Sequence, residues 1–232
     1  MAMSERGLRT RESIIAAAEQ LWAARGFDAV SVREITAAAG QRNNNALHYH
    51  FGSKEALFQT IARRHLDLLN ERTDKLYARM REESAFSVRD QVAMLVRPTA
   101  EYLGDGPSAR AWIRIAARVA GAPRQSDQDT AAVVSPAAIE IGSRLVERLG
   151  FDLGFQLAVD RVRIASEAFF HALADRARLL DDPARTRSMM PLSVFVELVI
   201  DMVTSAVTAP ASDALLHAIR AHDAAADRSL CE

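Results

Sequence analysis

From about residue 10 to about residue 225, apolar side chains return every three to four positions, and no convincing stretch alternates with a period of two. That spacing belongs to amphipathic helices and leaves no material for a sheet, so the expected fold class is all-α. The first helix is expected at 10–25, with two short helices near 32–39 and from the asparagines at 43–45, and a long one from 53 toward 83. Further helices are expected at 88–103, 108–120, 136–149, 156–180, 193–209 and 213–225. Pro98 falls inside one of these and is expected to bend or break it. The polar stretch at 121–130 is the best candidate for a mobile loop, and no internal repeat is present.

The chain has 232 residues, 49% of them apolar, enough to bury a core in one large or two smaller domains. Cys231 is the one cysteine, so neither a disulfide framework nor a cysteine metal site is expected. The run IIAAAEQLW is interrupted by Glu19, and VFVELVIDMV carries Glu197 and Asp201. Neither has the composition of a signal peptide or the roughly 20 apolar residues of a membrane span. A cytoplasmic protein with no membrane partner is expected. The net charge is -1, but residues 1–65 hold nine Arg and Lys against six Asp and Glu, so a mildly basic head sits on an acidic body. That distribution is a modest pointer to nucleic acid at the N-terminal end.

Local signals in the head are denser. Gly26 followed by Phe27 is a helix stop with its hydrophobic contact, Ser31 and Glu34 have capping-box spacing, and Gly40 ends the next short helix. Then come Gln41, Arg42 and three consecutive asparagines, Asn43, Asn44 and Asn45. Asparagine is a poor helix former because its amide competes for nearby backbone groups. Two short helices around a glycine turn, the second opening on hydrogen-bonding side chains, form a helix-turn-helix pattern. In that arrangement the second helix enters the major groove, where an Asn amide matches adenine and an Arg matches guanine. The alternative is that Asn43 caps the helix and its neighbours are merely solvated. Ile35, Ala39, Leu47, Phe51, Leu57, Phe58 and Ile61 are expected to form the small core beneath it. His48 and His50, two apart, point to different faces, and no metal site is expected.

The run SVREITAAAGQRNNNALHYHFGSKEAL resembles the DNA-binding motif of the TetR family of transcriptional regulators, through Phe27 after Gly26, Ser31, Val32, Ile35, Ala39, Gly40, His50, Phe51, Ser53, Lys54, Glu55 and Leu57. The resemblance reaches from about residue 10 to 64. It implies a helix-turn-helix DNA-binding domain at 1–64 and a helical effector-binding and dimerisation domain at 65–232. Ser31, Arg33, Gln41, Arg42, Asn43, Asn44, Asn45, His48, Tyr49, His50 and Lys54 are the implied DNA-contacting residues, with Lys54 matching a family lysine that touches the DNA backbone. The step from the turn glycine to the phenylalanine is one residue longer than in most members, and His48 stands in the usual tyrosine position. The turn is closer to a subgroup with Arg-Asn-Asn. An extra helical residue would rotate the start of the recognition helix by about 100°. Arg6, Arg9 and Arg11 could serve as an N-terminal arm or fray as a basic terminus.

The body carries no such motif. In SVFVELVIDMVTSAVTA the residues Glu197, Asp201, Ser205 and Thr208 form one narrow polar stripe, so the helix must be buried on more than one side. Val162, Ala165, Phe169 and Ala172 recur at heptad-like spacing. Together the helices near 156–180 and 193–209 resemble the pair with which TetR-like proteins build a homodimer, the alternative being ordinary core helices. A pocket for a small, largely apolar effector would draw on Met94, Tyr102, Trp112, Phe151 and Phe169, although such a scatter also suits plain core. Arg110, Arg114 and Arg118 form a stripe expected to be paired with acids rather than with an acidic effector. His171, between Glu167 and Asp175, is expected in an exposed charge cluster. No cofactor and no catalytic set is expected. The reading is a ligand-responsive regulator, most simply a repressor on a (pseudo)palindromic operator. The other readings are an all-helical small-molecule-binding protein or enzyme with an incidental basic N-terminus, and a nucleoid-type protein without an effector.

Overall fold

A computed structural model describes residues 4–41, 43, 45–80, 86–120, 136–186 and 189–229, and among them every regular element is helical. In chain order these are α1 (Glu5–Arg25), α2 (Val32–Ala38), α3 (Asn45–Phe51), α4 (Lys54–Met80), α5 (Val88–Glu101), a 3-10 turn (Tyr102–Asp105), α6 (Pro107–Ala120), α7 (Pro136–Leu153), α8 (Phe155–Leu180), α9 (Pro183–Thr186), α10 (Leu192–Thr208) and α11 (Asp213–Ser229). Residues 121–130, Cys231, Arg42 and Asn44 lie outside the described residues.

The N-terminal elements are set by their caps. Ser4 accepts a hydrogen bond from the Gly7 amide, so α1 begins five residues earlier than the apolar period indicated, and Arg6, Arg9 and Arg11 belong to a helix rather than to an extended arm. Gly26 stops α1 at φ 87°, a conformation that a side chain disfavours. Ser31 and Glu34 form the full capping box: Ser31 Oγ accepts from the Glu34 amide, and a Glu34 carboxylate oxygen accepts from the Ser31 amide at 2.8 Å. Arg25 holds the other Glu34 oxygen at 2.8 Å. The Ser31 amide first, then the Ser31 hydroxyl, which donates to the same oxygen at 2.7 Å, and Arg25 keep the Glu34 carboxyl down at about 2.

α4 is continuous from Lys54 to Met80, so a division at residue 64 falls inside one helix. It packs on α3, α5 and α7, with Leu57 and Ile61 fully buried. One hydrophobic cluster runs from Ile14, Trp22, Ile35 and Leu47 through Trp112 to Leu173 and Ile200. Pro98 does not break α5. The helix runs three residues past it and then tightens, the Tyr102 amide bonding back to the Ala100 and Pro98 carbonyls.

In the body, α8 packs against α6, α7 and α10, and α10 packs also on α5. The seam of Val162, Ala165 and Phe169 faces this core, leaving Ala172 exposed. Arg110 and Arg114 both pair with Asp181 at the end of α8, and Arg118 donates to the Ala24 carbonyl at 3.0 Å, so the stripe is spent on internal ties. His171 is exposed, its Nδ1 bonded to the Glu167 carbonyl. No single described helix is long and apolar enough to cross a membrane.

Candidate nucleic-acid interface

The turn between α2 and α3 takes its shape from Gly40, at φ 70°, whose amide bonds to the Ala37 carbonyl while the Gln41 amide reaches back to that of Thr36. Gln41 then folds its side-chain amide onto the Ala39 carbonyl at 3.1 Å. Asn43 Oδ1 accepts from the Asn45 amide at 2.9 Å and its carbonyl accepts from Ala46, so Asn43 starts α3 from outside it. Asn43 and Asn45 therefore do not share one role. Gln41 and Asn43 both lie outside a helix, and α3 begins only at Asn45. Positions counted back from Phe51 thus keep their helical phase.

That phase divides α3 cleanly. Leu47, fully buried, with His50 and Phe51 at i+3 and i+4, faces the core. Asn45, His48 and Tyr49, at the same spacing, are exposed, Tyr49 to 83%. A seven-residue helix has little stability of its own, and this one is held by α4 and α2 beneath it. His48 Nδ1 donates to the Gly52 carbonyl at 2.8 Å, fixing the exit turn. His50 Nδ1 is buried and has no partner among the described residues. No group of three or more His, Cys, Asp or Glu among the described residues is placed to hold a metal.

Around α3, Arg33 and Ser31 are exposed on α2 and at its cap. Lys54, first residue of α4, sets its ammonium 4.1 Å from the centre of the Phe27 ring, and Arg11 covers Phe51 at 5.0 Å. The surface so formed turns an amide, an imidazole and a phenol outward, with Arg33 and Lys54 near the starts of α2 and α4 beside it. Amide and hydroxyl groups are among the side chains that hydrogen-bond base edges and phosphates of duplex DNA.

The head is tied to the body by a buried polar chain for which sequence reasoning gave no signal, because its members lie far apart. His65 on α4 and Glu19 on α1, each 2% exposed, meet at 2.9 Å through Nε2 and Oε1. His65 Nδ1 lies 2.6 Å from the Tyr102 hydroxyl, and Ser108 Oγ, on α6, donates to Glu19 Oε2 at 2.7 Å. Burial pushes the Tyr102 phenol up to about 12, with Asp105 and Glu19 adding to it, so the hydroxyl keeps its proton at neutral pH. The His65 ring stacks on Trp112 at 5.0 Å and 7°.

Of the residues expected to line a pocket, Tyr102, Trp112 and Phe169 join the main core and Met94 is buried outside it. Phe151 does not join them: it is 93% exposed. The buried seam of α7 is Ile141, Leu145 and Leu149, and a residue two positions further lies about 200° round the helix, on the opposite side.

Residues 14–61 match the family model of bacterial regulatory proteins, tetR family. Over 63 residues, 27% of the chain, the sequence is 32% identical to a Corynebacterium efficiens protein named as the HTH-type transcriptional repressor AcnR, a stretch that spans 33% of that relative. Among solved structures, a gamma-butyrolactone receptor described as ArpA-like is similar over 86% of this chain and 98% of its own, at 21% identity and a TM-score of 0.44. The TetR family protein CprB from S. coelicolor is similar over 84% and 97%, at 23% identity and a TM-score of 0.39.

Proposed function

We propose that this chain is a ligand-responsive, DNA-binding transcriptional regulator that acts as a homodimer, a repressor that a small apolar effector releases from a (pseudo)palindromic operator. The observation that carries the reading is the split face of α3, with Leu47 sealed into the core and Asn45, His48 and Tyr49 held outward. The match of residues 14–61 to a family of bacterial regulators supports it. In this reading Ser31, Arg33, Gln41 and Lys54 serve mainly to position the duplex, with Asn43 shaping the helix start. Arg42 and Asn44, from the Arg-Asn-Asn turn, are assigned to sequence choice on their side-chain chemistry. A cytoplasmic location follows from the same role.

Dimerisation draws support from the outer face of the body. Val194, Leu198 and Met202 repeat at i, i+4 and i+8 on α10, 53%, 45% and 65% exposed, and Ile164 on the adjoining α8 is 57% exposed. An aliphatic stripe of this kind fits a second copy of the same helices, and two-fold pairing suits a two-fold operator. For the effector, Asn70 Oδ1 on α4 and Gln91 Oε1 on α5 are buried and accept from no described residue. A largely apolar molecule carrying one hydrogen-bond donor suits such surroundings. The test is selection from a random-sequence duplex library, with enrichment of a symmetric site expected. Uniform recovery of all sequences would leave only non-specific binding, and no recovery would favour the small-molecule-binding or enzymatic reading.

A further inference from the structure

We infer that the buried chain Tyr102–His65–Glu19–Ser108 is the joint that fixes the angle of the DNA-reading head on the body, with His65 as a positioning residue for DNA binding. The inference rests on the proposed DNA-binding role. One assignment of hydrogens satisfies every group: the Tyr102 hydroxyl donates to His65 Nδ1, His65 Nε2–H donates to Glu19 Oε1, and the Ser108 hydroxyl donates to Glu19 Oε2. The four residues come from the 3-10 turn, α4, α1 and α6. The chain therefore links the two long helices of the head to two separate segments of the body.

Apolar packing alone would let these helices slide. The aromatic contacts beside the chain, Phe58 to Trp112 at 6.4 Å and Trp22 to Phe58 at 5.8 Å, tolerate small shifts. Hydrogen bonds do not, since they weaken steeply with distance and angle. A buried carboxylate that loses a donor is left uncompensated, so the joint favours one register and resists intermediate ones. Glu19 lies on the same helix as Ile14, Ile15 and Trp22 of the head core, and Arg118 ties the end of that helix to α6. Any body rearrangement that moves Tyr102 or Ser108 away from its partner thus turns α1 and α4, and with them α3. Two heads must meet successive major grooves about 34 to 36 Å apart, so a turn at each joint is read as lost affinity. Arg72, over the Tyr102 ring at 5.3 Å and paired with Asp105, is the charged neighbour on the body side.

The experiment uses the full-length protein and the duplex it selects from a random library. Tyr102→Phe and Ser108→Ala each remove one hydroxyl and no packing atom of consequence, and neither residue belongs to the DNA-contacting surface. Each is expected to keep helical circular dichroism and the wild-type assembly mass while lowering affinity about tenfold with an unchanged salt slope, because no phosphate contact is lost. The double variant should also lose about tenfold, since both changes break one chain. Affinities within twofold of wild type, or losses that multiply in the double variant, overturn the joint while leaving the DNA reading intact. Should the wild type select no duplex, that reading falls, and the joint is judged by amide chemical shifts. Tyr102→Phe perturbing residues 45–51 supports it, and perturbation confined to the neighbours of Tyr102 overturns it.

Discussion

The head and the body of this molecule solve opposite problems. α2 and α3 have seven residues each, too few to be stable in isolation, and besides packing their starts are closed by side chains: the Ser31 and Glu34 box, and Asn43 on the Asn45 amide. The body helices α8 and α10, 26 and 17 residues long, start at Gly154 and Pro191 without any side-chain cap. What each part exposes also differs. The head turns an amide, an imidazole and a phenol outward, the body a row of aliphatic side chains. A polar face on capped short helices suits a charged, hydrated partner. An apolar face on long helices suits another copy of itself.

The largest effect that could break this comparison lies in the body. Val199, 7% exposed, faces the chain's own core, so Val199→Arg should destabilise the fold by several kcal/mol in thermal unfolding. Leu198→Glu with Met202→Arg, one position away on the outer face, should leave the monomer folded but dissociate the dimer in sedimentation. Loss of the second head should then cost about a hundredfold or more in affinity for a two-fold site. A double variant that stays dimeric would place the interface elsewhere. Next in size, Leu47→Ala in the head should cost about 2 to 5 kcal/mol, seen as early loss of amide protection in α2 and α3 with the body unaffected.

Smaller effects sharpen the division within the head. Tyr49→Ala or Asn45→Ala should cost about 1 to 3 kcal/mol on the preferred duplex and relax its sequence preference. Lys54→Ala should weaken all duplexes alike and lower the salt slope by about one. Equal loss on every sequence from the α3 changes would demote those residues to backbone contacts. The smallest change is Ser31→Ala, about 0.5 to 2 kcal/mol in unfolding by denaturant. Because the folded-state Glu34 carboxyl titrates at about 2, below its ordinary value, its share of the box is present above the usual glutamate range and is lost as pH falls toward 2. An acid limb of the stability curve that is the same in Glu34→Gln and wild type would contradict this.

Much of the head was legible because its signals are local. Gly26, Ser31 with Glu34, and Gly40 each act within three or four residues, and the spacing of Ile35, Leu47, Leu57 and Ile61 places all four in the core, where each is fully buried. The start of α1 was missed because Ser4 caps a first turn of polar residues that carries no apolar period. In α10 the apolar residues surround most of the circumference, so periodicity could not tell Val199, which faces inward, from Leu198, which faces out. Phe151 was placed in a pocket on composition, whereas the phase of α7 turns it to the surface. The joint could not be seen at all, since Glu19, His65, Tyr102 and Ser108 are distant in sequence and only packing brings them together.

The central claim is that α3 reads sequence while the body pairs and positions the heads. Its most direct test is to sequence the duplexes enriched by the wild type and by an Asn45→Ala, Tyr49→Ala variant under the same conditions. The account predicts a two-fold site for the wild type, with half-sites about one helical turn apart or a multiple of it. It predicts selective loss of preference at symmetric positions in the variant, whose assembly in sedimentation is unchanged. Identical enriched sequences from the two proteins would contradict it.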